Sequence, residues 1–141
     1  MGGLSLARAQ SAPLLDALSQ ELDRNFTVLK QNADPAPYFI GYEVSDEEIK
    51  SLSASWGSVS PLTASHSRAL DVSVRVGSRQ LDNYHRTSGS GGAVQSTAGS
   101  ISYEDAPDAI KRVVWLETDR AYRVAAERLA RIKTNTQVRV A

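Results

Sequence analysis

The chain has 141 residues and contains no cysteine. This absence excludes thiol catalysis, disulfide bonds and metal sites built from thiolates. The formal net charge is zero, because 16 Lys and Arg residues balance 16 Asp and Glu residues, whereas nucleic-acid-binding proteins usually carry an excess of basic residues on one face. The longest apolar stretches are far shorter than the roughly 20 residues that cross a bilayer. We therefore expect neither a nucleic acid nor a membrane as a partner.

Two segments have the apolar spacing of amphipathic helices. The first begins near Ser11 or Ala12, with Pro13 suited to its first turn, and the run at 32–37 ends it. The second begins near Asp105, a residue type suited to the N-cap. Apolar residues recur at steps of three and four in both segments. They are Leu15, Leu18, Leu22, Phe26 and Leu29 in the first, and Ile110, Val114, Ala121, Ala125, Leu129 and Ile132 in the second.

Three segments between the helices alternate apolar and polar residues, as strands do. They are residues 38–45, 48–56 and 70–76, and the polar residues 45–47 predict a turn that makes the first two a hairpin. Strands with one apolar face favour an antiparallel sheet with helices on that face. The sequence therefore predicts an α+β fold of order α-β-β-β-α, with about three or four antiparallel strands flanked by two long amphipathic helices.

Outside these elements, composition predicts irregular segments. The N-terminus is rich in small residues and has an Ala-x-Ala pattern at Ala7 and Ala9, which resembles the end of a signal peptide. A disordered leader or a cloning scar are the alternatives. The stretch Ser88–Ser100 is rich in Ser and Gly and predicts a flexible loop. The predicted division is a leader at 1–12, one α+β domain at 13–135 with a flexible loop at 84–103, and a tail at 136–141.

The residues that could carry chemistry form no known catalytic or metal-binding motif. His66 and His85 lie outside any His-Glu-x-x-His or His-x-x-x-His pattern, so we interpret both as solvated loop residues. Asp82 lies three positions before His85, but a hydrolase built on this pair would need further groups that the sequence does not specify. We therefore predict no catalytic residue and no metal ligand in this chain. Four aromatic residues could be core or interface anchors, or could line a ligand pocket. They are Tyr38, Tyr42, Trp56 and Trp115.

Several segments, taken in order, resemble a known family. They are residues 37–44, 53–57, 67–77, 81–83, 104–110 and 115–122. Together they resemble the N-terminal region of TldD/PmbA-related zinc metallopeptidases, which older descriptions name "modulator of DNA gyrase". The resemblance is greatest to an exported bacterial branch of that family, and it extends over nearly the whole chain. Its specificity comes from the number and order of the segments, because none of them is a catalytic signature.

The resemblance implies a role without catalysis for this chain. The family's zinc-binding His-Glu-x-x-x-His helix belongs to a later region, so zinc is implied for that region and no cofactor is implied for this chain. In the family, two subunits enclose a proteolytic site, and the N-terminal region helps to form its walls and contacts. The implied partners are other domains of the same protein or a homo- or hetero-oligomeric partner subunit, with a peptide as substrate. The matching positions implied to have this structural role are Asp71, Arg75, Leu81, Asp82 and Asn83.

Two interpretations of the whole chain follow. The first is an accessory domain of an exported, periplasmic or secreted metallopeptidase. The second is a free-standing module without enzymatic activity, which holds a ligand or peptide on the sheet beside the Ser88–Ser100 loop. The expected location of the protein is periplasmic or secreted, otherwise cytoplasmic. In either case Arg75 is expected to be exposed, or to pair with Asp71 or an acid of the neighbouring strand.

Overall fold

The computed structural model describes residues 12–85, 97–104 and 106–140, and in these it has an α+β fold with an antiparallel sheet. The predicted fold class is therefore confirmed. The elements follow in the order α1 (Pro13–Asn32), β1 (Pro37–Ser51), β2 (Ala54–Ser55), β3 (Ser58–Val59), β4 (Thr63–Val76), β5 (Thr97–Ser100) and α2 (Pro107–Val140).

The main sheet has the strand order β1-β4-β5, and both neighbouring pairs are antiparallel. β2 and β3 form a separate two-stranded ladder. Alternate residues of β4 are buried, as expected for a strand with one face on the core. These residues are Leu70, Val72, Val74 and Val76.

Both helices pack on this apolar face of the sheet. Near the start of each helix, Lys111 Nζ donates a hydrogen bond of 2.7 Å to Gln20 Oε1. Farther along, Asn25 of α1 and Thr118 of α2 both bond to the Tyr42 hydroxyl of β1. The helices therefore lie side by side and run in the same direction. Their sequence spacing explains the core, because Ile110, Val114 and Leu129 of α2 recur on one helical stripe and are almost fully buried.

A small polar network crosses this core. The Tyr42 hydroxyl lies 2.7 Å from Thr118 Oγ1 and accepts a hydrogen bond of 3.0 Å from Asn25 Nδ2. Thr118 Oγ1 in turn donates to the Val114 carbonyl. Burial raises the pKa of Tyr42 above its ordinary value, although its bonds to Thr118 and Asn25 act in the opposite direction. The neutral hydroxyl therefore joins the three elements through satisfied polar groups.

The strand boundaries correct two predictions. Residues 45–47 do not form a turn, because β1 continues through them and pairs with β4 as far as Ser51 opposite Thr63. The predicted strand at 48–56 is consequently divided between the end of β1 and the short strand β2. The reversal occurs later, at Trp56-Gly57, where both residues have positive φ values of 52° and 78°. Such angles suit a two-residue hairpin turn, and glycine adopts them at little cost.

The helix and loop boundaries also differ from the predictions. Thr97–Ser100, which the sequence placed inside a flexible loop, form strand β5 against residues 69–72 of β4. The predicted tail at 136–141 is helical as far as Val140. α1 begins at Pro13 with Ala12 at its N-cap, and no side chain caps it. Outside the described residues lie residues 1–11 of the predicted leader at 1–12, residues 86–96 of the predicted loop at 84–103, and the predicted cap Asp105.

Neither helix, over the residues described, is both long and apolar enough to cross a membrane.

Candidate functional site

The segment after β4 brings three of the five positions singled out by the sequence together. Asp82 Oδ2 accepts a hydrogen bond of 2.6 Å from the Tyr38 hydroxyl and lies 3.5 Å from Arg75 Nη1. Its other oxygen accepts a bond of 2.9 Å from the Tyr84 amide. Arg75 thus pairs with an acid of the following segment, rather than with Asp71 or an acid of the neighbouring strand. We call Tyr38, Arg75, Asp82, Asn83 and Tyr84 the polar cluster.

Asn83 fastens this segment to the end of β4. It is buried, accepts a bond of 2.9 Å from the Val76 amide and donates one of 3.0 Å to the Val74 carbonyl. The side chain thereby replaces a strand partner for two backbone groups that would otherwise be unpaired. Gly77 makes the turn with a φ of 102°, and a Cβ there would lie 2.6 Å from the Leu81 carbonyl oxygen.

The charges of the polar cluster compensate one another. Contact with the Tyr38 hydroxyl, followed by the field of nearby groups including Asp82, raises the pKa of Arg75. Partial burial, followed by the hydrogen bond to Asp82, raises the pKa of Tyr38. The guanidinium also lies over the Tyr84 ring, 4.3 Å from its centre. A paired and stacked arginine of this kind positions a loop, and nothing in the geometry makes Tyr38 a stronger base or nucleophile.

The remaining two positions do not join the polar cluster. Leu81 is half-buried and contributes backbone bonds to Ser78. Asp71 lies on the sheet face away from the helices, directly opposite Glu43 of β1. Its Oδ1 atom is buried and has no hydrogen-bond partner among the described residues. The structure therefore places Arg75, Asp82 and Asn83 close together, whereas Asp71 lies in a different environment.

The pair Asp82 and His85 does not form a catalytic dyad. Their contact is a backbone turn bond of 3.1 Å from the His85 amide to the Asp82 carbonyl. The described partners of the Asp82 carboxylate are Tyr38, Tyr84 and Arg75. A hydrolase would need the imidazole within hydrogen-bond reach of the carboxylate and of a nucleophile.

A second polar group lies where the β1–β4 hairpin leaves the helices. Asp46 hydrogen-bonds through one oxygen to His66 Nε2 and accepts bonds of 2.9 and 2.6 Å from Arg68 through the other. Arg68 Nη1 also donates to the Ser102 carbonyl, and the His66 ring lies 5.1 Å from the Tyr103 ring. The bonds from His66, and then those from Arg68, hold the pKa of Asp46 below its usual range.

We call these residues the arm-root cluster: Asp46, His66, Arg68 and Tyr103. The sequence patterns did not predict it. The interpretation of His66 as a loop residue is wrong, since it lies in β4. The available signal was alternation. Polar residues at 46, 48, 50, 66 and 68 continue the positions that face the core in the inner halves of β1 and β4. Poor strand-forming residues such as Asp and Glu concealed it.

From this cluster the hairpin extends outward as a projection that we call the arm (residues 45–69). Beyond the cluster, the described residues add no third strand to it. Every residue of the arm is exposed except Arg68, which is half-buried. The ladder passes through a bond of 2.7 Å from the Ser60 amide to the Ser53 carbonyl and ends at β2 and β3. At about 3.3 Å per residue, the arm reaches roughly 35 Å from its root to Trp56.

The outer part of the arm carries large apolar side chains in water. Trp56 is the most exposed of them, at 101%. Leu52, Val59 and Leu62 are 61 to 64% exposed. We define the tip patch as Leu52, Trp56, Val59 and Leu62. Several large apolar side chains exposed to this extent at the end of one hairpin are uncommon on a monomeric protein and indicate an interaction surface.

The four aromatic residues considered for a pocket occupy separate settings. Trp56 is at the arm tip, Tyr42 is in the core network, and Tyr38 bonds to Asp82. Trp115 is 47% exposed on α2. They therefore do not line a shared cavity.

Among the described residues, no three His, Cys, Asp or Glu side chains gather as a metal-binding group. A zinc ion takes three or four such ligands, so this part of the chain offers no fitting donor set.

Compared with known proteins, the chain matches no family model, no curated protein and no solved structure.

Proposed function

We propose that this chain is the N-terminal accessory domain of a TldD/PmbA-like zinc metallopeptidase, and that it contributes to subunit assembly and to the walls of a peptide-access cavity. The observation that carries the assembly role is the exposed arm with its apolar tip patch. The peptidase family itself rests on the order of the sequence segments that resemble it.

Elementary energetics favours a partner for the arm. An isolated two-stranded hairpin is marginally stable in water, because it needs a third strand or a packed face to offset its ordering entropy. The described residues provide neither beyond the arm-root cluster. A ribbon of this length with Leu, Val and Trp side chains in water is expected when another polypeptide covers it in the assembled protein.

The chemistry of the polar cluster supports a structural role. Its carboxylate, guanidinium and hydroxyl groups are already paired with one another. The buried Asn83 uses both of its polar atoms on the β4 backbone. These groups fix the shape of one end of the domain and leave bond cleavage to residues elsewhere in the parent protein. The proposal accordingly assigns the zinc and its chemistry to a later region of that protein.

The gene sequence downstream of this chain provides the direct test. The proposal expects a His-Glu-x-x-x-His helix and a family-type C-terminal region in the same reading frame or in a partner gene. The absence of this helix and this region from both places would contradict the assignment to the peptidase family. A signal peptide upstream and recovery of the protein from the periplasm or medium would support the exported location that we propose.

A free-standing binding module is the second candidate, and the sheet face that the described residues leave uncovered favours it. Phe39 is 44% exposed on that face, and the Arg75 guanidinium lies 5.9 Å from the centre of its ring. An arginine held between aromatic rings presents a flat, amphipathic surface to a peptide. Chemical-shift mapping of the chain with a mixture of unstructured peptides would test it. Shifts at Phe39 and Tyr84 are expected, and a spectrum without change would contradict this candidate.

A further inference from the structure

The outer edge of β1 is a long stretch of sheet backbone that no strand of the described residues pairs with. β1 ends the main sheet, so only its inner edge has a neighbour, β4. In an antiparallel strand, every second residue turns its N–H and C=O groups away from the paired neighbour. We propose that an extended, basic segment of a different protein chain adds to this edge at residues 43–51 as a further strand. This inference rests on the assembly role proposed above, for which it names the kind of partner.

The opposite edge of the sheet is closed where it lies over the core. β5 pairs with residues 69–72 of β4. Beyond them, the Asn83 side chain occupies the Val74 carbonyl and the Val76 amide. Within the arm, no strand of the described residues pairs with the second edge of β4 at 63–67, but this stretch is shorter and has no carboxylate. Within the described part of the chain, β1 therefore offers the longer free edge.

A strand added along β1 would give the arm the third strand that it lacks. Glu43 and residues 45–51 are exposed, so another polypeptide can approach them. A two-stranded ribbon is marginally stable in water, whereas a third strand stabilises it. The backbone hydrogen bonds of strand addition supply affinity, and the neighbouring side chains supply specificity. The edge thus accounts for how a partner holds the arm, and its side chains decide which partner.

The charges of this edge favour a basic partner. Residues 43–51 include four acidic side chains and one basic side chain. Asp46 and Glu48 already have cationic partners, whereas Glu43 and Glu47 form no ion pair with any described residue. These two carboxylates lie on the same face of β1, four residues or about 13 Å apart. A neighbouring strand places its side chains about 5 Å from them, so Lys or Arg at two positions four residues apart would meet both.

β4 does not neutralise these two carboxylates from the other side. Glu43 lies directly opposite Asp71, and Glu47 lies opposite Ser67. Like charges directly opposite each other destabilise a sheet, and the buried Asp71 Oδ1 atom has no hydrogen-bond partner among the described residues. A cation beside Glu43 would offset this repulsion.

The same charges oppose a second copy of this chain as the occupant. Antiparallel pairing of two β1 strands about Ser45 would place Glu43 of each copy opposite Glu47 of the other. Such like-charge pairs are destabilising, and charged side chains on an edge strand are one means by which proteins avoid pairing with their own copies. A basic strand meets no such repulsion.

Titration of the full 141-residue chain with synthetic peptides, followed by backbone amide chemical shifts, tests the proposal. The probe is a nine-residue peptide of threonine with lysine at its third and seventh positions. We expect its shifts to concentrate at residues 43–51, with slower hydrogen exchange of the amides there. A peptide with lysine at the third and sixth positions, which lie on opposite faces of a strand, should bind about twofold more weakly. A peptide with glutamate at the third and seventh positions should bind at least about fivefold more weakly.

Variants of the chain test the two carboxylates. Glu43→Gln combined with Glu47→Gln should raise the dissociation constant of the lysine probe about two- to tenfold, because two cross-strand charge pairs are lost. Asp23→Asn combined with Glu127→Gln removes two exposed carboxylates away from the edge and is the matched control, which should bind as the wild type does. Circular dichroism of each variant shows that it is folded.

Four results would overturn the proposal. They are the absence of binding up to the solubility limit of the lysine probe, equal affinities of the three peptides, an affinity that the Glu43 and Glu47 variant leaves unchanged, and shifts that fall outside β1. Shifts confined to 63–67 would place the added strand on β4, and shifts at Phe39 and Tyr84 without the edge would place the peptide on the sheet face.

The outcome separates this inference from the proposed function. Failure of the probe to bind β1 would overturn strand addition, whereas the peptidase assignment would still depend on the downstream sequence. Absence of the His-Glu-x-x-x-His helix downstream would remove the peptidase and leave the titration result unchanged.

Discussion

Gly77 controls the direction in which the chain leaves the sheet. Its φ of 102° lies in the region that side-chain-bearing residues rarely adopt. A Cβ at this position would lie 2.6 Å from the Leu81 carbonyl oxygen and 3.1 Å from Leu129 Cδ2. Both conditions require glycine here, because the obstructing oxygen is backbone and cannot rotate away.

Replacing Gly77 with alanine is therefore expected to lower the free energy of unfolding by about 1–3 kcal/mol, the usual cost of a strained backbone conformation. Urea unfolding followed by circular dichroism measures it. Gly41→Ala is the control, because its Cβ would meet the end of the exposed Phe39 ring, which is free to move. Equal stability of the Gly77→Ala protein and the wild type would contradict the close approach of Leu81.

The Tyr42 hydroxyl is a second position where one atom has large consequences. Tyr42→Phe removes the partner of Asn25 Nδ2, and Asn25 is 5% exposed, so water cannot easily replace the bond. We expect a loss of about 1–3 kcal/mol in the free energy of unfolding. Tyr103→Phe, which removes a hydroxyl from a residue that is 59% exposed, should change stability little. Thermal unfolding of both variants provides the comparison, and similar midpoints would argue against the core network.

At the scale of elements, the arm-root cluster joins the arm to the helical layer. Asp46 accepts bonds from both His66 and Arg68, and Arg68 continues to the Ser102 carbonyl. The carboxylate thus connects two strands to the segment that precedes α2.

Asp46 also predicts an acid response of the arm. Because its pKa in the folded chain lies below that in the unfolded chain, its stabilising contribution is present above the unfolded value, about 3.9. That contribution is lost as the pH falls through the folded value. Protection of the amides in residues 63–69, corrected for intrinsic exchange, should therefore decrease below about pH 4 in the wild type. Asp46→Asn should have weaker protection at neutral pH and lack the acid step, whereas Glu47→Gln should behave as the wild type.

The sequence predicted those elements that are determined by residues close together in the chain, and missed those that depend on distant residues. Steps of three and four placed both helices, and the run of valines in β4 placed its buried half. The end of β1 was missed because Asp46 and Glu48 are poor strand formers, held in the strand by residues 18 or more positions away. Four residues of β5 were missed because Thr-Ala-Gly-Ser is too short to show alternation. A contact with a residue distant in sequence favours glycine at position 99, since a Cβ there would lie 2.8 Å from Glu117 Cδ.

The candidate site was predictable to the same extent. The resemblance singled out five positions, and the structure brings three of them together, Arg75, Asp82 and Asn83. Tyr38, their partner 44 positions earlier, has no local signal that links it to Asp82. The tip patch was not recognised, because an apolar residue in a strand pattern predicts burial and says nothing of whether a layer lies above it.

At the scale of the whole molecule, the buried core and the arm occupy separate parts of the chain. The buried apolar residues fall at positions 17–40 and 70–132, and none lies in the arm. Folding of the domain should therefore not require the arm. Replacing residues 47–67 with Asn-Gly preserves the Asp46–Arg68 pair and closes the strands with a two-residue turn.

We expect this shortened chain to keep its helical circular dichroism and a single cooperative thermal transition within a few degrees of the wild type, since about 1 kcal/mol shifts the midpoint by only about 2–8 °C. Intact β1–β4–β5 pairing in nuclear Overhauser spectra would confirm the register. A molten or unfolded shortened chain would contradict the independence of the core from the arm.

The antiparallel register of β1 and β4 has a consequence for how this domain can diversify. The two strands are joined at the tip of the arm, whereas their pairing is fixed by the core at Val44 opposite Leu70. Residues inserted in matched pairs near the turn leave every core-facing position where it was. Two residues added to each strand extend the ribbon by roughly 7 Å. The length of the arm can therefore change, by evolution or by design, while the packing of the core stays the same.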